Sequence, residues 1–251
     1  MPALLRLEEV SKRFGGLVAN DRISLEVREG EILGLIGPNG AGKTTLFHCI
    51  SGFYAPDGGR IFFRDQEITG RPPEEIARLG VARTFQIVRI FKDLTVLDNT
   101  VVGALLRSRS VREAREKAIQ VLEFTGLKDK MDRPAAHLTI ADKKRLELSR
   151  ALATEPALLL LDEVMAGLNP QEVKEAVDLI RAIRARGVTV FVVEHVMEAI
   201  MTVCDRIVVL DYGRKIADDV PANIATNEEV IKAYLGERYH VAGEEHHRRL
   251  R

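Results

Sequence analysis

Gly37-Pro38-Asn39-Gly40-Ala41-Gly42-Lys43-Thr44 fits the spacing G-x-x-x-x-G-K-[ST]. A short apolar run, Ile32-Leu33-Gly34-Leu35-Ile36, precedes it, and Thr45-Leu46-Phe47-His48-Cys49-Ile50 follows as the opening turns of a buried helix. Glycines let the backbone wrap around an anion, so the N–H groups of Gly37, Asn39, Gly40, Ala41 and Gly42 point inward as a nest. The helix N-terminus, which includes Thr45, adds its positive dipole end at the same place. Lys43 is then placed to reach the β- and γ-phosphates of a nucleotide, and the Thr44 hydroxyl to ligate Mg²⁺. A bare glycine turn with a lysine beside it is the alternative, and the flanking strand and helix argue against it.

A chain of 251 residues suffices for one large domain or two closely packed subdomains. With 46% hydrophobic and 29% charged residues it has the composition of an ordinary globular protein. Its 37 basic and 37 acidic residues cancel, so no global field draws in nucleic acid, and no nucleic-acid partner is expected. Cys49 and Cys204 stand far apart among apolar neighbours and read as buried thiols in a reducing cytoplasm. No window approaches about 18 consecutive apolar residues, and Arg6, Glu8 and Glu9 stand where a signal peptide would be apolar. Any membrane association is therefore expected to come through a partner.

Residues 4–10, 23–27 and 60–63 are short β-rich runs separated by turn residues, and a small sheet flanking the nucleotide core is expected from them. Residues 96–154 read helical, with Ala114, Ala118, Val121 and Leu122 on one face and Gly126 as a stop. Arg109, Arg112, Arg115 and Lys117 form the solvated side of that helix. The final part alternates strand and helix. Residues 157–161 are a continuous apolar run, as a strand buried on both faces requires, and 188–193 read as another buried strand. Between them Asn169 and Pro170 start a helix, and Gly187 ends it. The alternation predicts an α/β core on a mainly parallel sheet, whose working residues gather at the carboxyl ends of the strands. From residue 237 onward the chain is polar, with His240, His246 and His247 in what reads as a solvated tail.

Two further strand ends carry chemistry. Leu158-Leu159-Leu160-Leu161 runs into Asp162-Glu163. A carboxylate at the tip of a buried strand beside a phosphate loop can hold hydrated Mg²⁺, so Asp162 is the candidate ligand. Glu163 is placed to polarise an attacking water as general base. His195 leaves the end of Val190-Phe191-Val192-Val193-Glu194 at the same sheet edge, where its ring can hydrogen-bond a γ-phosphate and sense its loss.

These residues together resemble the ATP-binding subunits of ABC transporters over nearly the whole chain, from about Leu4 to Gly236. The resemblance implies a P-loop NTPase of the ABC ATPase type with three parts. Residues 1–94 and 155–236 would form the α/β core with an antiparallel β-subdomain, 95–154 a helical subdomain, and 237–251 the tail. It casts Lys43, Glu163 and His195 as catalytic and Asp162, Thr44 and Gln86 as the Mg²⁺ site. Gln86, in Ala82-Arg83-Thr84-Phe85-Gln86, would also couple to the membrane partner, and Phe14 would stack on adenine. The family's signature loop, usually Leu-Ser-Gly-Gly-Gln, stands here as Leu138-Thr139-Ile140-Ala141-Asp142, ahead of a helix expected over 143–154. Thr139 keeps a hydroxyl for the γ-phosphate of an opposing subunit, but Ile140 and Ala141 replace both glycines and limit backbone approach. Val164 stands where a proline is usual, and Asn169 where an aspartate is commoner.

A degenerate site and a variant completed by a partner both fit these departures; the intact Lys43, Thr44, Gln86, Asp162, Glu163 and His195 favour the variant. The segments 82–86, 89–99, 166–170 and 230–236 are most similar to ATPases of branched-chain amino acid uptake, although amide and urea systems look alike here. The resemblance implies a peripheral protein on the cytoplasmic side of the membrane, binding ATP and Mg²⁺. It would dimerise with itself or with a second ABC ATPase, against two permease subunits and, indirectly, a substrate-binding protein. Ile87-Val88-Arg89-Ile90-Phe91 reads either as the docking surface or as interior packing. A soluble ABC-type ATPase acting on ribosomes or DNA, and a weakly hydrolysing regulatory subunit, are the alternative functions.

Overall fold

The computed structural model describes residues 2–235, so the histidine-bearing tail lies outside the described residues. Strand β3 (Ile32–Ile36) is buried at every position, as are β7 (Leu158–Asp162) and β8 (Thr189–Val193). Unbroken apolar runs have no polar face to offer solvent, so they settle inside a sheet covered on both sides. With β6 (Val81–Arg83), which follows the short helix α2 (Pro73–Leu79), β9 (Arg206–Asp211) and β10 (Arg214–Asp219) they form a six-stranded sheet of order β10-β9-β3-β8-β7-β6. All neighbours run parallel except the edge strand β10, which returns antiparallel from β9.

Strand periodicity divides this sheet's side chains between two cores. Leu33, Leu35, Leu158, Leu160, Phe191 and Val193 face the core shared with helix α1 (Lys43–Ile50) and a second sheet. That sheet is antiparallel, order β2-β1-β4-β5, from β1 (Ala3–Phe14), β2 (Leu17–Arg28), β4 (Gly58–Phe63) and β5 (Gln66–Glu67). Ile32, Ile36, Leu159, Leu161, Val190 and Val192 face the opposite core, under α6 (Pro170–Ala185) and α7 (Met197–Val203). Asn169 caps α6 with a full capping box to Glu172. Cys49 and Cys204 are buried free thiols.

Helices α3 (Val96–Ala104), α4 (Val111–Phe124) and α5 (Ile140–Leu152) pack around their own small core of Val96, Leu97, Ala118, Leu122, Leu127 and Leu146. Helix α5 starts at Ile140, not at 143, because the exposed Thr139 Oγ1 accepts the Asp142 N–H at 3.1 Å and acts as N-cap. The segment expected to be a signature loop is thus already the first turn of a helix. It ends at Leu152, two residues before the expected limit. Among the described residues, no helix is long and apolar enough to cross a membrane.

Candidate active site

The phosphate loop joins β3 to α1 and holds three glycines at φ between +80° and +151°. A Cβ on Gly37 would overlap the Leu210 carbonyl oxygen of β9, and one on Gly42 the Ala19 carbonyl of β2. Neighbouring strands therefore press directly on the loop and leave no room for a side chain. Buried Asn20 donates to the Gly42 carbonyl at 3.1 Å, and the Gly213 N–H, in the β9–β10 turn, donates to the Ala41 carbonyl at 3.1 Å. Gly42 caps α1 without a side-chain bond, so the first-turn N–H groups face the loop. Lys43 Nζ donates to the Gly37 and Pro38 carbonyls at 2.7 and 2.9 Å. Burial pushes its ammonium down, while Glu163 and Asp162 pull it back up.

Because β6, β7 and β8 are adjacent and parallel, their carboxyl ends deliver Gln86, Asp162-Glu163 and His195 to one edge. Glu163 is the meeting point. Its Oε2 accepts Gln86 Nε2 at 2.8 Å, and its Oε1 lies 2.6 Å from His195 Nε2. Glu163 itself sits in the left-handed region at φ +52°, its N–H donating to the Val193 carbonyl at 2.9 Å. A non-glycine residue stays there only when surrounding contacts hold it. Asp162 is 1% exposed; its Oδ2 pairs with Arg83 at 3.0 Å and its N–H donates to Thr84 Oγ1 at 3.1 Å. Burial pushes the Asp162 carboxyl up, and the Arg83 guanidinium opposes that rise.

Phe14, Asn39, Gly40, Ala41, Gly42, Lys43, Thr44, Thr45, Gln86, Glu163 and His195 all line one cavity of about 340 Å³. Phe14, half-exposed at its rim, stands edge-on to Tyr54 with ring centres 5.3 Å apart. Gly37 and Asp162 lie outside this lining. Thr139 is outside it too, on α5 of the helical part.

The residues fit both expected ligands. The tight, glycine-requiring loop at a helix N-terminus suits a phosphate chain. For the cation, Asp162 Oδ1 is buried with no hydrogen-bond partner, and a carboxylate plus the Thr44 hydroxyl is an oxygen donor set suited to Mg²⁺. Among the described residues no group of three His, Cys, Asp or Glu side chains could hold a metal alone. A Mg²⁺ here would take its remaining ligands from nucleotide oxygens and water.

Three contributors escape sequence reading. Arg83 bridges Asp162 and Ser51, donating to Ser51 Oγ at 2.9 Å, between the rings of Phe53 and Phe85. Glu194, 1% exposed, accepts the Met165 N–H at 2.6 Å and steadies the chain after Glu163. Lys144 donates to the Glu163 and Ala166 carbonyls at 2.9 and 2.7 Å. Only Glu194 carried a usable signal, as an acid ending an apolar strand run in the same way as Asp162.

The docking run 87–91 divides between its two readings. Ile87 is 82% exposed and Phe91 47%, whereas Ile90 packs on the helical core. Phe91 lines a groove of about 630 Å³ between the sheet core and the helical part, with Phe53, Ile76, Phe85 and Val102.

Comparison with known proteins gives the family. Residues 20–166 match the ABC transporter family, and residues 214–240 match the branched-chain amino acid ATP-binding cassette transporter family. The high-affinity branched-chain amino acid transport ATP-binding protein LivG of Escherichia coli K12 is 44% identical over 250 residues, covering 93% of this chain and 98% of that protein. The corresponding protein BraF of Pseudomonas aeruginosa is 43% identical over the same shares. Among solved structures, a nucleotide-free cassette of an ABC transporter superposes with a TM-score of 0.86 at 32% identity, over 94% of this chain and all of that one. The ADP conformation of such a cassette gives the same values. The chain belongs to the ABC transporter family, as an ATP-binding, ATP-hydrolysing subunit.

Proposed function

We propose that this subunit powers uptake of branched-chain amino acids from the cytoplasmic face of the membrane, as one half of an ATPase dimer seated beneath two permease subunits. The observation that carries the reading is the placement of Glu163. Its carboxylate is gripped at both oxygens by side chains from the neighbouring strand ends, in the same cavity as the phosphate loop. The loop N–H groups and Lys43 would hold the β- and γ-phosphates, and Phe14 the adenine. Thr44, Gln86 and Asp162 would hold Mg²⁺, which when bound offsets charge on the phosphate oxygens. Glu163 then accepts a proton from a water aimed in line at the γ-phosphorus, while His195 fixes the carboxylate and meets the γ-phosphate. To serve as base, Glu163 must exchange the Gln86 amide for that water. Gln86 begins the exposed segment that runs to Phe91 on the groove, so a permease element docked there is placed to control the exchange.

Thr139 would meet the γ-phosphate of the opposing subunit, so ATP favours the closed dimer only through contacts absent from the open one. Ile140, 67% exposed on the first turn of α5, supports the variant-site reading, in which a second, different ATPase completes the pair. The sequence similarity to branched-chain amino acid systems supports the cargo assignment.

Reconstitution tests the whole. Proteoliposomes carrying this chain, its two permeases, its partner ATPase and a binding protein should take up leucine only with ATP. Lys43→Ala should abolish uptake. Uptake that survives Lys43→Ala, or that carries urea or amides and not leucine, contradicts the proposal.

A further inference from the structure

Helix α5 touches both loops that meet at Glu163. Glu147, 3% exposed, accepts the backbone N–H groups of Phe85 at 3.3 Å and Arg89 at 2.8 Å, bracketing Gln86. One turn earlier on the same helix, Lys144 spans to the other loop, with Nζ on the carbonyls of Glu163 and Ala166. The carbonyl of Glu163 thus receives Lys144 as well as the weaker turn bond from the Ala166 N–H at 3.3 Å. This is the residue held in left-handed backbone at the end of β7. The remaining restraints come from within the core: Glu163 N–H on the Val193 carbonyl, and Met165 N–H on Glu194. Among the described side chains, Lys144 alone hydrogen-bonds the Glu163 main chain from the helical part.

We propose that Lys144 is a positioning residue for hydrolysis, fixing the main chain of Glu163 against α5 so that the carboxylate keeps its direction when ATP is bound. The proposal rests on Glu163 being the base. It adds a mechanical link: the helix capped by Thr139, the residue expected to serve the opposing subunit's nucleotide, is tied through Lys144 to the base serving this subunit's own. A rotation of α5 that displaces Thr139 would pull on Glu163 through the same ammonium. Misplacement of a reacting group by about 1 Å suffices for roughly 10²-fold in rate, so the effect falls on turnover and leaves ATP capture by the phosphate loop alone.

The test compares the full chain with Lys144→Met, which keeps the stem and removes the donor, and with Lys144→Arg, which keeps a donor. Lys144→Met should lower kcat by about 10- to 100-fold, with KM for ATP and nucleotide affinity unchanged and the melting temperature close to the parent's. Lys144→Arg should restore most of the loss. Placed on Glu163→Gln, Lys144→Met should add nothing, because both changes act through one group. Hydrogen exchange provides a readout independent of turnover: Lys144→Met should speed exchange at Met165 and Ala166 and leave the phosphate loop unchanged. Turnover near the parent's in Lys144→Met, an equal loss in Lys144→Arg, or a further loss on Glu163→Gln overturns the proposal alone. Undiminished turnover in Glu163→Gln removes the base reading, and the proposal with it.

Discussion

Replacing Arg83 by methionine keeps most of the side chain's stem but strips the neutralising guanidinium from Asp162. The two side chains are 6% and 1% exposed, so water cannot readily take the guanidinium's place. Asp162 Oδ1 already lacks a partner, and the substitution leaves Oδ2 bare as well. The molecule then has two courses. Carrying an uncompensated buried charge costs about 3–5 kcal/mol. Protonating the carboxyl at pH 7, some three units above its ordinary value, costs about 4 kcal/mol. Either course predicts a loss of about 3–5 kcal/mol at pH 7. The sign of its pH dependence follows from linkage. In the variant the folded carboxyl is raised above its unfolded value, so the folded state binds the extra proton and stability falls as pH rises. Between pH 7 and pH 5 the penalty should shrink by as much as about 3 kcal/mol. Urea unfolding followed by circular dichroism, in EDTA at both pH values, measures it. With a slope of about 3 kcal/mol/M, the pH 7 midpoint should drop by roughly 1–1.7 M. Asp162→Asn on top of Arg83→Met should recover part of the loss. A penalty under about 1 kcal/mol at pH 7, or one independent of pH, would refute the reasoning.

Three other substitutions probe separate parts of the molecule. Gly42→Ala sets a Cβ against the Ala19 carbonyl in left-handed backbone, which costs at least about 1–2 kcal/mol. Nucleotide affinity should fall at least roughly tenfold, as read by equilibrium binding of ATP. His48, packed among Phe53 and Tyr54 and repelled by Arg83 and Arg89, is held down to about 4, mainly by burial. The unfolded chain therefore binds its proton first, and stability is lost as pH falls from about 6.5 to 4, by roughly 2 kcal/mol after allowance for partial exposure. His48→Phe should flatten that part of the pH–stability curve, and an unchanged slope would show that His48 is not the source. Phe91→Ala removes the exposed ring at the edge of the groove, so association with the permeases should weaken while ATP affinity stays put. Lost ATP affinity would assign Phe91 a folding role instead.

The parts of this molecule that were legible in its sequence are those where chemistry and local pattern coincide. The apolar runs of β3, β7 and β8 announce buried parallel strands, and each carries a residue of the site at or within two positions of its end: Gly37, Asp162-Glu163 and His195. Parallel strands place those ends together without further information. Arg83 was not legible, because its partner lies 79 positions away and nothing local marks the pairing. Lys144 and Glu147 escaped for a related reason. On a helix with many charges they look like a solvated face, and only the packing of α5 against two loops turns them inward. The start of α5 was misplaced because Thr139 was read for its hydroxyl's chemistry, while the backbone uses that oxygen as a cap. The β9–β10 hairpin, which braces the loop through Gly213, was also left unread, although Asp211-Tyr212-Gly213 is a turn signal.

Phosphate release by the assembled ATPase pair, with ATP binding followed in parallel, tests the role of Glu163 by comparing the parent with Glu163→Gln. Glutamine keeps the shape and can still meet Gln86 and His195, but it cannot accept the proton from water. Turnover should fall by about 10²- to 10⁴-fold with ATP affinity unchanged and the ATP-bound dimer longer-lived. Turnover close to the parent's, or a fall matched by an equal loss of ATP affinity, would contradict the assignment of Glu163 as the base.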